Sequence, residues 1–194
     1  VFKRYVSPNY LVIAYTPKDD LLAPSTLEKI ENLSRELEKN ELVSSVISVL
    51  NIPLLQSGTS DLSELVKHVP SLADADINKT LVRREFADSP LYTNNLVSRD
   101  LKTTAIVLNL KTDEKYQSIL NERNTLLNAK LNGNITSEQK QRLNAVNAQF
   151  KAHRDEARIK EHAAIEQIRE TIAKCGGGES LFLGGANMIA DDMV

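Results

Sequence analysis

The residues that could carry chemistry are few and widely spaced: three histidines, one cysteine, two glycine runs and the adjacent aspartates Asp191 and Asp192. A catalytic or structural metal ion needs several imidazole, thiolate or carboxylate ligands that converge on one point. The spacing of His68, His153 and His162 does not offer this, because nine residues between the last two put them on opposite faces of a helix. We therefore expect no metal site.

The cysteine, the glycines and the aspartates also favour structural roles. Cys175 is predicted to end a helix, where the helix dipole disfavours a thiolate, so we interpret it as a packed small residue. The run Gly176-Gly177-Gly178 leads from a helix into a strand, the reverse of a phosphate-binding loop, and favours a helix cap and joint. Asp191 and Asp192 have no second polar cluster to work with. The sequence thus predicts no catalytic residues and no cofactor.

Composition limits the classes of protein further. The 194 residues contain 24 Lys and Arg against 26 Asp and Glu, a formal net charge of −2, so no broad basic field attracts nucleic acid. The predicted strand at residues 103–111 also lacks the aromatic side chains with which such sheets bind RNA. With 41% hydrophobic residues and no Trp, the chain is expected to fold around Leu, Ile, Val and Ala.

The first half of the chain reads as a strand, a helix and a second strand. Residues 10–16 are apolar and end at Pro17, which is typical of a buried strand. A helix is predicted to follow, with Ser25 as its N-cap and Glu28 completing a capping box, and a second strand at residues 43–50. Residues 52–90 are interpreted as an irregular insertion that contains short helices at 61–69 and about 76–86.

The second half predicts two more strands, a helical hairpin and a last strand. Residues 91–98 and 103–111 are expected to form an antiparallel pair. The next sixty residues lack proline and predict two helices that break at Asn132-Gly133-Asn134 and form a hairpin over 113–155. The end of the second helix carries Ile165, Ile168 and Ile172 and should pack on the sheet before a strand at 181–183.

This order of elements predicts an α+β fold over residues 1–194 as a single domain. It matches a ferredoxin-like split βαβ layer with an extra edge strand, an irregular insertion and a long helical hairpin within its second crossover helix. The hairpin is either a simple insertion or an arm that docks a neighbouring subunit or accessory protein. In the second case, Asn132, Gly133 and Asn134 at its tip are the candidate partner-contact residues.

Several segments, taken in order, resemble the first extracytoplasmic domain of the RND-superfamily exporters, in particular the MMPL-like branch. The opening strand at residues 10–17 with Asp19-Asp20 is similar to the family's first strand. Residues 43–55 resemble its second strand and following turn, and residues 88–106 resemble its hairpin. The segment that begins Leu183-Gly184-Gly185 and ends Met188-Ile189-Ala190-Asp191-Asp192-Met193 resembles the approach to the second membrane helix.

The resemblance implies a periplasmic porter-type domain, excised from between two membrane spans of a proton-driven bacterial inner-membrane exporter of lipids or other hydrophobic molecules. It implies partners in the membrane helices and second periplasmic domain of the same transporter, and no catalysis in this segment. Two other hypotheses stay open: a free-standing interaction module that uses its hairpin, and a small-molecule sensor with a ligand cleft at a sheet or dimer edge.

Overall fold

The computed structural model describes residues 9–54, 71–72 and 77–185, and these residues form an α+β fold. Its strands are β1 (Tyr10–Thr16), β2 (Val43–Ile47), β3 (Thr104–Leu110) and β4 (Ser180–Gly184). Its helices are α1 (Pro24–Leu37), α2 (Lys79–Asp88), α3 (Glu114–Leu131) and α4 (Ser137–Cys175). The helix predicted at 61–69, His68 and the Asp191-Asp192 pair lie outside the described residues.

The four strands form one antiparallel sheet in the order β2-β3-β1-β4. Ile13 of β1 lies opposite Ile106 of β3 on one side and opposite Leu183 of β4 on the other. Because β1 and β2 both run antiparallel to β3, they are parallel to each other with β3 between them. Alternate residues of β1 and β3 point into the core, and among them Leu11, Ile13, Ile106 and Leu108 are fully buried.

The chain divides into two compact units, and the sheet belongs to the first, which comprises the residues up to Lys111 and those from Ile165 onward. Helix α1 contributes a buried stripe at three- and four-residue spacing to the core of this unit. The last part of α4 contributes Ile165 and Ile168, with Ile172 partly buried beside them. The prediction that these isoleucines pack with the strands is confirmed.

The prediction of a strand at residues 91–98 is wrong, and so is the predicted antiparallel pair. These residues form consecutive turns, with only isolated bridges from Val97 to Thr93 and Thr104. The Thr93 hydroxyl lies within hydrogen-bonding distance of the carbonyls of Phe86, Ala87 and Ser89 and so binds the segment to the end of α2. Asn94 has a φ of 60°, which an extended strand does not allow. Local capping therefore overrides the apolar, β-prone composition of this segment.

The predicted N-cap of α1 is also wrong. The N-cap is Ala23, which makes no side-chain capping bond, and Pro24 occupies the first turn. Proline suits this position because its φ is already helical and its missing N–H would have no helical acceptor there. The helix predicted from about residue 76 begins instead at Lys79 and is capped by Asn78, whose side-chain oxygen accepts hydrogen bonds from the Thr80 and Leu81 N–H groups.

The second unit, Thr112–Ala164, consists of α3 and most of α4. The break between the two helices falls where the sequence predicted it. The predicted capping box is present: the Thr136 N–H donates to the Gln139 side chain at 2.9 Å, and the Gln139 N–H donates to the Thr136 hydroxyl at 3.2 Å. Together the two bonds satisfy backbone donors that the first turn of α4 leaves free.

Candidate functional site

The candidate partner-contact residues form the turn between α3 and α4. Asn132 caps the end of α3, and the Asn134 N–H donates to the Ala129 carbonyl at 3.0 Å. Gly133 has a φ of +72°, a conformation that side chains disfavour, and a Cβ built on it would touch nothing within 4 Å. All three residues are exposed, and the preceding Leu131 is 83% exposed. The turn therefore presents two amides and one leucine to solvent.

A small apolar core holds the two helices of the hairpin together. It consists of Leu126, Leu143 and Val146, with Ile119, Leu127 and Ile135 partly buried around it. Beside it, the Arg142 guanidinium donates to both oxygens of Glu122 at 2.5 and 2.8 Å. These hydrogen bonds hold the pKa of Glu122 below its ordinary value. This two-pronged geometry fixes the register of α3 against α4 more tightly than apolar contact alone.

The other end of the hairpin is closed by Asp113. One carboxylate oxygen accepts from the Tyr116 N–H at 2.8 Å and so caps α3, and the other lies 2.7 Å from His153 Nε2. The Tyr116 ring stacks on His153 and packs against Phe150. Desolvation alone would raise the pKa of Asp113, but the hydrogen bonds from Tyr116 and His153 outweigh it and lower that pKa. His153 is thus a packing and pairing residue in this hairpin.

His153, His162 and Cys175 stand at separate positions along α4. His162 is exposed on α4, and Cys175 is a free thiol at the last residue of that helix, packed against the core of the first unit. Within residues 9–54, 71–72 and 77–185, no group of three His, Cys, Asp or Glu side chains is placed to hold a metal ion. Cys175 therefore has the structural position that the sequence predicted.

Glu179, which the sequence analysis missed, is the most enclosed carboxylate among the described ion pairs. It lies between the glycine run and β4, and its side chain is 1% exposed. One oxygen accepts from Lys29 Nζ of α1 at 2.7 Å, the other accepts from the Tyr15 hydroxyl of β1, and the Lys18 N–H also donates to it. The available signal was a lone acidic residue between a glycine run and an apolar strand.

Electrostatics at Glu179 favour the charged carboxylate. Burial alone would raise its pKa, but the hydrogen bonds from Lys29 and Tyr15 outweigh burial and hold the pKa of Glu179 below its ordinary value. Burial and the bond to Glu179 both raise the pKa of the Tyr15 hydroxyl. The bond to Glu179 also raises the pKa of Lys29. The three groups therefore form a charged clamp that joins β1, α1 and the start of β4.

The start of β1 and the end of β4 lie side by side at the same end of the sheet. Val12 is paired with Gly184, and the following Gly185 sits against the backbone of Tyr10 and Leu11. A Cβ on Gly185 would lie 3.0 Å from the Tyr10 carbonyl oxygen and 2.8 Å from Leu11 Cδ2, and Gly185 has a φ of +154°. This close approach requires a residue without a side chain. The chain therefore enters and leaves the sheet through adjacent strands.

Comparison with known proteins adds no family to this description. No protein-family model matches the chain, and no curated protein matches it. Among the helices that the structure describes, none is both long and apolar enough to cross a lipid bilayer.

Proposed function

We propose that the chain is a porter-type periplasmic domain of an RND-type inner-membrane exporter, built on a ferredoxin-like split βαβ layer. The strand order supports the fold part of this proposal. Read from the other edge it is β4-β1-β3-β2, with α1 between β1 and β2 and the last part of α4 before β4. This is the arrangement in which two βαβ units interleave, each with its two strands parallel and one strand of the other unit between them.

The observation that carries the functional proposal is that the start of β1 and the end of β4 lie side by side at one end of the sheet. A domain inserted between two membrane helices must receive the chain and return it on the same side. Adjacent antiparallel strands do this without a long connection, and Gly185 lies in contact with Tyr10 and Leu11 at that point. The resemblance to the MMPL-like exporters adds the expectation of a membrane helix before β1 and another after β4.

In this proposal the domain guides a hydrophobic substrate and transmits motion, and it does not make or break bonds. A non-catalytic role is supported by how its best-defined charged groups are engaged. The Glu179 carboxylate is bound by Lys29 and Tyr15, and Asp113 is bound by the Tyr116 N–H and His153. Both clusters join elements of the fold. A structural role therefore explains these charged groups, and no catalytic role is needed to explain them.

Cysteine labelling of the full-length gene product in intact cells tests the proposal. Asn132→Cys in a Cys175→Ser background places one thiol at the exposed turn. We expect a membrane-impermeant maleimide to label this thiol in intact cells. After lysis and fractionation, we expect the labelled protein in the inner-membrane fraction. Cys175→Ser without the new cysteine is the control for background. Labelling only after lysis, or a gene product without flanking membrane helices, would refute the proposal.

A second candidate function, docking of a partner through the hairpin, is favoured by Leu131. Leu131 is 83% exposed beside the exposed turn, so its side chain offers apolar surface for a partner to bury. Deleting residues 114–155 should then abolish co-purification of the neighbouring subunit or accessory protein. Leu131→Gln should weaken it, whereas Ile159→Gln, which alters another leucine-sized side chain that is 72% exposed, should not. An unchanged complex after the deletion would exclude this function.

A further inference from the structure

Strand β4 is the strand with the least apolar support. In the part of the chain that the structure describes, it pairs with β1 alone, and none of its five residues is fully buried. Phe182 at its centre is 70% exposed, whereas Ile13 in β1 and Ile106 in β3 are completely buried. The other edge strand, β2, places Val43 and Val46 in the core. Burial of apolar surface therefore holds β4 less firmly than any other strand.

The Glu179 clamp adds to the pairing of β4 with β1 and to the partly buried Leu181 and Leu183. Glu179 is the residue before β4 begins. Its carboxylate accepts hydrogen bonds from Lys29 Nζ at 2.7 Å and from the Tyr15 hydroxyl. Such charge-assisted bonds are about twice as strong as neutral ones. On the other side of Glu179, Gly177 and Gly178 have φ values of +54° and +79°, so the connection to α4 is built from residues with wide conformational freedom.

We propose that Glu179 is a latch for β4. With the carboxylate bound, β4 stays on the edge of the sheet. With it released, β4 and the glycine joint separate from β1, while β1, β3 and β2 remain paired. The inference rests on the local geometry and does not depend on the chain's being part of an exporter.

The latch also reaches the opposite end of β4. Six residue steps at about 3.4 Å each place Gly185 roughly 20 Å from Glu179, and Gly185 is the residue packed on Tyr10 and Leu11. Release of the strand at Glu179 therefore loosens the point where the chain enters and leaves the sheet.

Loss of the negative charge on Glu179 is the event that opens the latch. The groups bound to the carboxylate come from three parts of the fold: the Tyr15 hydroxyl from β1, the Lys18 N–H from the loop after β1, and Lys29 from α1. Asp19, in the same loop, acts on Tyr15 and Lys29 through its charge. The Lys29 ammonium group forms an ion pair with Glu179 only while the carboxylate is charged. Without that charge, one of the two side-chain bonds to the carboxylate loses its ionic character.

Hydrogen exchange measured peptide by peptide on the full chain tests the latch. Glu179→Gln keeps the size of the side chain and removes its charge. We expect backbone amides of residues 180–185 to exchange about 10- to 100-fold faster in this variant, with residues 104–110 of β3 unchanged. Glu170→Gln is the matched control, because that carboxylate is 67% exposed and pairs with Lys174 on the surface. This control should leave both segments unchanged.

Two milder variants keep the test decisive if Glu179→Gln does not fold. Tyr15→Phe removes only the hydroxyl donor and Lys29→Met removes only the ammonium group, and each should raise exchange selectively in residues 180–185. Equal acceleration in β3 and β4 would show that the cluster only supports global stability, and that result overturns the latch. Unchanged exchange in β4 in all three variants overturns it as well.

Discussion

Replacing Leu143 with alanine should destabilise the helical hairpin and leave the stability of the sheet unchanged. Leu143 is 4% exposed and is one of three buried residues that form the hairpin core. A fully buried aliphatic side chain contributes ~1.5–3 kcal/mol, so this core supplies on the order of 5–9 kcal/mol before the cost of ordering the chain. Leu143→Ala removes about a third of that. We expect a loss of about 2–3 kcal/mol, at the low end for buried leucines because so small a core can partly collapse.

Hydrogen exchange of the intact chain separates this local effect from a global one. A loss of 2–3 kcal/mol corresponds to roughly 30- to 150-fold faster exchange of amides in α3. Amides of β3 should keep their wild-type rates, because the sheet belongs to the other compact unit. Leu131→Ala is the matched control, since this leucine is 83% exposed and its truncation should change exchange little. Equal acceleration in α3 and β3, or an equal effect of Leu131→Ala, would refute the reasoning.

Three further predictions concern the sheet edge, the hairpin turn and acid stability. Gly185→Ala should lower the free energy of unfolding by about 1–3 kcal/mol in denaturant titrations, because the added Cβ meets the Tyr10 carbonyl oxygen at 3.0 Å. A neutral result, as expected for Gly184→Ala, whose added Cβ meets nothing within 4 Å, would contradict this. Thr136→Ala should cost about 1 kcal/mol through loss of the capping box, whereas Thr136→Ser should cost much less; equal losses would exclude capping as the cause. The hydrogen bonds to Glu179 lower its folded-state pKa despite burial. Their contribution to the free energy of unfolding is therefore complete above the ordinary pKa of 4.5 and is lost as the pH falls through the folded-state pKa. An equally steep loss of stability in acid for Glu179→Gln would contradict this.

Much of the architecture follows from periodicity in the sequence. The apolar runs of β1 and β3 and the spacing of Ile30, Leu33 and Leu37 in α1 predict buried strands and a helix that packs on them. The turn at Asn132-Gly133-Asn134 was recognisable because glycine and asparagine accept conformations that interrupt a helix. These are local properties, so a single sequence is enough to reveal them.

The errors arise where the composition of a segment competes with specific polar contacts. Residues 91–98 have strand composition, but Thr93 binds the end of α2 and Tyr92 donates its hydroxyl to the Pro53 carbonyl. Neither contact leaves a periodic signal in the sequence. Glu179 was missed for the same reason, because its partners Tyr15 and Lys29 come from the other end of the chain. Long-range polar contacts of this kind become visible only once the topology is known.

The adjacency of the first and last strands has a consequence for protein engineering. Because Gly185 already touches Tyr10 and Leu11, a short linker from Gly185 to Asn9 would close the fold into a ring. New termini could then be opened at the exposed turn between Gly133 and Asn134. The resulting circular permutant would keep every strand pairing of the sheet while starting in one helix of the hairpin and ending in the other.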